Sequence, residues 1–119
     1  MNAQKLEQID QAIENYKALK LKVAISELDL TITGAGGGQI GGGNRGPAVP
    51  PTAEQLQAQA DAYAKVFAIF LKHRDVINRV TFWGLNDRRS WRAGQSPLVF
   101  DGQNQAKPAL QAIADVAKR

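Results

Sequence analysis

The sequence has no cysteine and a single histidine, His73, in 119 residues. The first absence excludes a disulfide framework, a zinc–thiolate site and a cysteine nucleophile. The second excludes any site that needs two histidines and argues against a Ser-His-Asp triad. No apolar run approaches the roughly 20 residues of a membrane helix. The start, Met1 to Glu7, shows no apolar core of a secretory leader. Gly-Lys-Ser/Thr does not occur, so there is no P-loop. The rest of the composition is ordinary. Hydrophobic residues make up 44% and charged residues 22%, near the soluble globular average, and the length suits one domain. A net charge of +4 permits an acidic partner without demanding one.

Hydrophobic spacing predicts three helices and two strands. Leu6, Ile9, Ile13 and Tyr16 recur on one face of a helix over Gln4–Leu19. Lys22–Leu30 follows after a short connection and reads as a strand. Its alternation sets Val23, Ile25, Glu27 and Asp29 on one face and Ala24, Ser26, Leu28 and Leu30 on the other. Thr31–Pro51 is a long glycine-rich connection. Thr52 then looks like an N-cap, with Gln55 as capping-box partner. A helix over Ala53 to about Arg74 carries Leu56, Ala60, Tyr63, Phe67, Phe70 and Leu71 as its buried stripe. Arg79–Asp87 reads as a second strand, with Gly84 marking a bend or close approach. A second long loop, Arg88–Ala106, precedes a helix opened by Pro108. The order α-β-α-β-α, with long loops after the strands, is that of an α/β fold whose sites form at the strands' carboxyl ends.

Glutamate is scarce. Glu7, Glu14 and Glu54 fall on helix surfaces or in a first turn, where solvated charge is the usual state. Glu27 lies inside a strand expected to be covered on both faces, and burying a carboxylate costs several kcal/mol unless it is paired. Asp29, on the same face, adds like-charge repulsion. Two acids ending one strand face are either a site or a structural ion pair. Trp83 and Trp91 beside them are core tryptophans or platforms for the apolar face of a sugar ring. Gly36–Gly41 matches G-x-G-x-x-G, but the next helix starts too far downstream to bind a pyrophosphate. Arg88, Arg89 and Arg92 around Trp91 lack any accompanying nucleic-acid motif. His73, in Lys72-His73-Arg74, reads as favourable charge at a helix end.

Five segments then occur in one order: Ile25-Ser26-Glu27-Leu28-Asp29, Val80 to Asp87, Ser90-Trp91-Arg92, Pro97 to Asp101, and Lys107-Pro108-Ala109. This set resembles the C-terminal part of glycoside hydrolase family 10, the endo-β-1,4-xylanases. The resemblance implies the last part of a (β/α)8 barrel, from the sixth helix to the eighth, with residues 1–119 incomplete as a domain. It implies retaining hydrolysis of xylan with Glu27 as nucleophile. Asp29 would be an orienting relay acting through a histidine, and Trp83, Trp91 and, more weakly, Arg92 would be sugar contacts. It implies no metal or other cofactor, no nucleic acid and no membrane. The partners would be xylan or a xylo-oligosaccharide, with the N-terminal part of the barrel or a second copy. It also implies a parent enzyme outside the cytoplasm. A barrel needs about 250 residues, and the family's Asn-Glu acid/base pair and relay histidine have no counterpart here. The chain alone is therefore expected to be inactive. The other reading is a non-catalytic carbohydrate-binding or assembly fragment.

Overall fold

The computed structural model describes residues 1–32 and 50–119. The Gly36–Gly41 motif lies outside them. Helix α1 (Ala3–Ala18) leads into strand β1 (Val23–Leu28), and α2 (Ala53–Lys72) leads into β2 (Ile77–Phe82). A 3-10 turn (Asp87–Arg89) and α3 (Pro108–Ala117) complete the order. No described helix is long and apolar enough to cross a membrane.

Local chemistry places the boundaries. Asn2 Oδ1 accepts from the Lys5 amide at 2.9 Å and starts α1. Thr52 Oγ1 accepts from the Gln55 amide while Gln55 Oε1 accepts from the Thr52 amide, the reciprocal cap that the sequence predicts. Pro108 opens α3, where its missing N–H removes no helical bond. Strand β2 begins two residues before the expected Arg79 and stops at Phe82, so Trp83 to Asp87 fall outside it. At Gly84 the backbone turns to φ +138°, and a Cβ there would stand 2.8 Å from Leu98 Cδ1. The strand's end is thus a glycine-only conformation under a close neighbour.

The two strands are parallel, β1 beside β2. Helices cover one face. Leu28 joins Ile13, Ala60, Tyr63, Val66 and Phe70 in the core, and Ile25, Val80 and Phe82 pack against it. Phe82 lies 5.9 Å from the Tyr63 ring and 6.0 Å from Phe67.

Strict alternation fails in both strands. Val23 pairs with Ile77 and Ala24 with Arg79; Ile25 pairs with Val80 and Leu28 with Phe82. β2 therefore gains a residue at Asn78, and β1 gains one between Ile25 and Leu28. Each strand shows two consecutive exposed residues there, Asn78-Arg79 and Ser26-Glu27. An extra residue switches the face of everything beyond it. This corrects the expected pattern: Ile25 packs toward the helices, whereas Glu27 points away from them and is exposed.

His73 also departs from its expected role. It caps α2, is 1% exposed, and its Nε2 lies 2.5 Å from Asp10 Oδ1. Lys72 Nζ reaches the same carboxylate at 2.7 Å, so α1 and α2 are clasped through Asp10. The histidine serves an inter-helix pair and not the helix end alone.

Candidate active site at the strand ends

Glu27 comes from the carboxyl-terminal end of β1, on the face without helices. Among the described residues its carboxylate makes no hydrogen bond or ion pair. Trp83 follows β2 directly, and its amide donates to the Leu28 carbonyl at 3.0 Å. This continues the parallel ladder and sets Trp83 beside the end of β1. Its side chain is 46% exposed and that of Trp91 54%. A large indole left half in water carries an unused apolar face.

Asp29 does have partners. Trp91 Nε1 donates to Asp29 Oδ2 at 2.8 Å. Arg92 Nε lies 3.6 Å from Asp29 Oδ1, and the Arg92 guanidinium sits 4.3 Å from the Trp91 ring centre. Such a cation over an indole is favourable. The two acids that the sequence places together thus differ: among the described residues Asp29 is engaged and Glu27 has no partner. A cleft of about 330 Å³ opens beside Asp29 and Arg92, lined also by Leu30, Ile32 and Gln59.

Residues that the sequence reading took as core or passed over hold this arrangement. The Tyr63 hydroxyl donates to the Pro97 carbonyl and accepts from the Leu30 amide. One turn earlier on α2, Gln59 Nε2 donates to the carbonyls of Leu30 and Ser96. The backbone joins the same two segments, with Leu30 N donating to Pro97 O and Ile32 N to Gln95 O. The loop carrying Trp91 is thereby fixed to the segment that follows β1 and carries Asp29. Farther back, the Lys107 ammonium is 4% exposed and donates to Asp87 Oδ2, Ser96 O and Leu98 O. Burial pushes its pKa down despite the Asp87 charge. Asn86 Oδ1 caps the 3-10 turn by accepting from the Arg88 and Arg89 amides. The one available signal was polar residues, Gln59 and Tyr63, four apart on an apolar helix stripe.

An exposed carboxylate beside two half-exposed indoles at parallel strand ends suits the binding of a sugar. A family model described as "Glycosyl hydrolase family 10" matches residues 1–116. The chain belongs to glycosyl hydrolase family 10.

Its relatives include an endo-1,4-beta-xylanase/feruloyl esterase of Xylanibacter ruminicola, 41% identical over 92% of this chain and 15% of the relative. An endo-1,4-beta-xylanase of Geobacillus stearothermophilus is 33% identical over 98% of this chain and 36% of its own length. Among solved structures, a family 10 xylanase from termite gut with a bacterial Ig-like domain superposes with a TM-score of 0.83 at 34% identity. That match covers 95% of this chain and 26% of the other. A mutant in complex with xylotriose superposes with a TM-score of 0.79 at 33% identity. The chain therefore spans about a third or less of these proteins. Its fold is the C-terminal part of the family's TIM barrel, as the sequence order predicts.

One further grouping of ligating atoms lies away from this site. Asp10, Glu14 and His73 bring atoms within 4.8 Å of one another. Lys72 already neutralises Asp10 there, and the group is read as the α1–α2 clasp. It lies where α2 runs into the start of β2, opposite the strand ends that carry Glu27 and Trp83.

Proposed function

We propose that this chain supplies the nucleophile half of an endo-1,4-β-xylanase and acts when the remaining strands of a barrel stand beside it. Glu27 attacks the anomeric carbon, forming a glycosyl–enzyme ester as the sugar leaving group departs, and water then hydrolyses that ester. The observation that carries the reading is the exposed Glu27 carboxylate, without a partner among the described residues and flanked at the strand ends by Asp29 and the half-exposed Trp83 and Trp91. Retaining hydrolysis needs a second carboxyl group about 5–5.5 Å from the first. The acid/base glutamate, like the histidine through which Asp29 would orient Glu27, comes from the missing strands. His73 is unsuited to that relay, being held by Asp10 at the other end of the sheet. Trp83 and Trp91 stack on pyranose rings, with Arg92 near the sugar. Residues 1–119 are then an incomplete domain, and xylan or a xylo-oligosaccharide is the substrate. The complete enzyme works outside the cytoplasm, where xylan is found.

The test adds a separate polypeptide carrying the missing strands and measures covalent labelling by a mechanism-based 2-fluoro-xylobioside. Labelling at Glu27, lost in Glu27→Gln, supports the proposal. Labelling at another residue overturns the assignment. Alone, the chain lacks a general acid, which costs about 10²–10⁴ in rate. Robust xylan hydrolysis by the isolated chain would contradict the half-site reading.

A further inference from the structure

We propose that Asp29 is a positioning residue for the Trp91 platform and that, together with Arg92, it leaves Trp91 a single face for a sugar ring. The proposal rests on the xylanase reading for its ligand, a xylopyranose unit, but its geometry is independent of that reading. Trp91 lies in a loop and is 54% exposed. An indole so placed would ordinarily sample several rotamers. Two contacts restrict it. Its only donor, Nε1–H, is taken by Asp29 Oδ2 at 2.8 Å, a charge-assisted bond from a neutral donor to a carboxylate. The Arg92 guanidinium stands 4.3 Å from the ring centre, so one face is already covered.

Asp29 ties these contacts together. Its other oxygen lies 3.6 Å from Arg92 Nε, with side-chain exposures of 13% for Asp29 and 20% for Arg92. At that distance the pair attracts without forming a hydrogen bond, and among the described residues Arg92 Nε is buried without a hydrogen-bond partner. One carboxylate thus holds the indole edge through one oxygen and draws the covering cation through the other. The segment that presents Glu27 at the end of β1 continues directly into Asp29, which fixes the orientation of Trp91. Platform and nucleophile are referred to one backbone segment, which preorganises the site. With Arg92 on one side, an apolar sugar face can stack only on the other.

The experiment uses the whole chain labelled with ¹⁵N. Its two tryptophans give two indole N–H signals, assigned by Trp91→Phe. Without sugar, the Trp91 signal is expected downfield of the Trp83 signal because its donor faces a carboxylate. Asp29→Leu should shift it upfield, and Asp29→Asn, which keeps an acceptor oxygen, should restore much of the shift. The Trp83 signal should stay in place and report that the fold persists. An unmoved Trp91 signal in Asp29→Leu overturns the proposal.

Xylotriose is then titrated. It should move the Trp91 signal in the parent chain, with affinity falling about tenfold in Asp29→Leu and recovering in Asp29→Asn. Equal affinity in all three overturns the platform role even if the clamp is present. A parent chain whose indole responds to Asp29 but not to xylotriose overturns the sugar-site reading, so the two failures are distinct. If Asp29→Leu unfolds, Trp91→Phe carries the test, since it keeps an apolar ring but no donor. Xylotriose affinity, now read at Trp83, should fall about tenfold, and unchanged affinity overturns the proposal.

Discussion

The Lys107 ammonium donates to Asp87 Oδ2 at 2.9 Å with both side chains largely out of water, 4% and 12% exposed. Asp87 Oδ1 also accepts from the Leu98 amide at 2.8 Å. Removing one partner of such a pair leaves an uncompensated buried charge. Asp87→Ala should therefore lower stability by about 3 kcal/mol, read as a fall in the urea midpoint with an unchanged slope. An unaffected midpoint would show that the two main-chain carbonyls on Lys107 suffice.

Tyr63 makes an alkaline prediction. Burial raises its hydroxyl above the ordinary tyrosine value. The folded chain then keeps a proton that the unfolded chain loses above about pH 10. The sign follows: the contribution is complete below pH 10 and is lost as pH climbs toward the raised folded value. Stability in the parent chain should fall more steeply above pH 10 than in Tyr63→Phe. At neutral pH that variant should lose about 1 kcal/mol for its missing bonds to Pro97 and Leu30. Identical alkaline limbs by circular dichroism would refute the burial argument.

The Asp10 clasp predicts the acid limb. Its carboxyl is held below the ordinary value of 3.8, first by the bond to Lys72 and then by that to His73. A depressed carboxyl stabilises above its unfolded pKa and loses that contribution as pH falls through the folded one. Melting temperature should drop between pH 5 and 3 (about the span of the carboxyl titration) less in Asp10→Asn than in the parent. The result that counts against the clasp is a variant with the parent's full acid slope.

Gly84→Ala tests the strand end. The substitution combines a φ of +138° with a 2.8 Å approach to Leu98 Cδ1, and Leu98 is itself buried. A loss of about 2 kcal/mol is expected from strain and overpacking. A melt within a degree of the parent's would mean that Leu98 moves aside freely.

Glu27→Gln should be close to neutral for stability, within about 0.5 kcal/mol, because Glu27 has no partner among the described residues. A large loss in urea unfolding would reveal a structural role and weaken its assignment as nucleophile.

Element order was legible because it rests on strong local signals. Thr52 with Gln55, Pro108 before an apolar edge, and the Leu6-Ile9-Ile13 stripe each act within one or two helical turns. The side of the strand on which Glu27 emerges was not legible. Period-2 counting groups it with Ile25, and only pairing with β2 reveals the extra residue between Ile25 and Leu28. The proposed site residues are named from their order along the chain, which says nothing of their contacts. Asp29 and Trp91 are 62 positions apart, and nothing local marks them as partners. Lys107 likewise reads as a plain residue before a proline, since the three partners of its ammonium, Asp87 and the carbonyls of Ser96 and Leu98, are brought in by the fold.

The two extra residues in the sheet cancel. Partner numbers differ by the same amount at Val23–Ile77 and at Leu28–Phe82, while the pairs between them are offset by one more. Sequence drift in this region is therefore coupled. A deletion at Asn78 alone, or at Ser26 alone, would leave one slip uncorrected and turn an exposed face into a packing face. Deleting both would restore pairing but erase the outward step that carries Glu27. The spacing from Ile25 to Leu28 thus sets the side of the sheet on which Glu27 emerges.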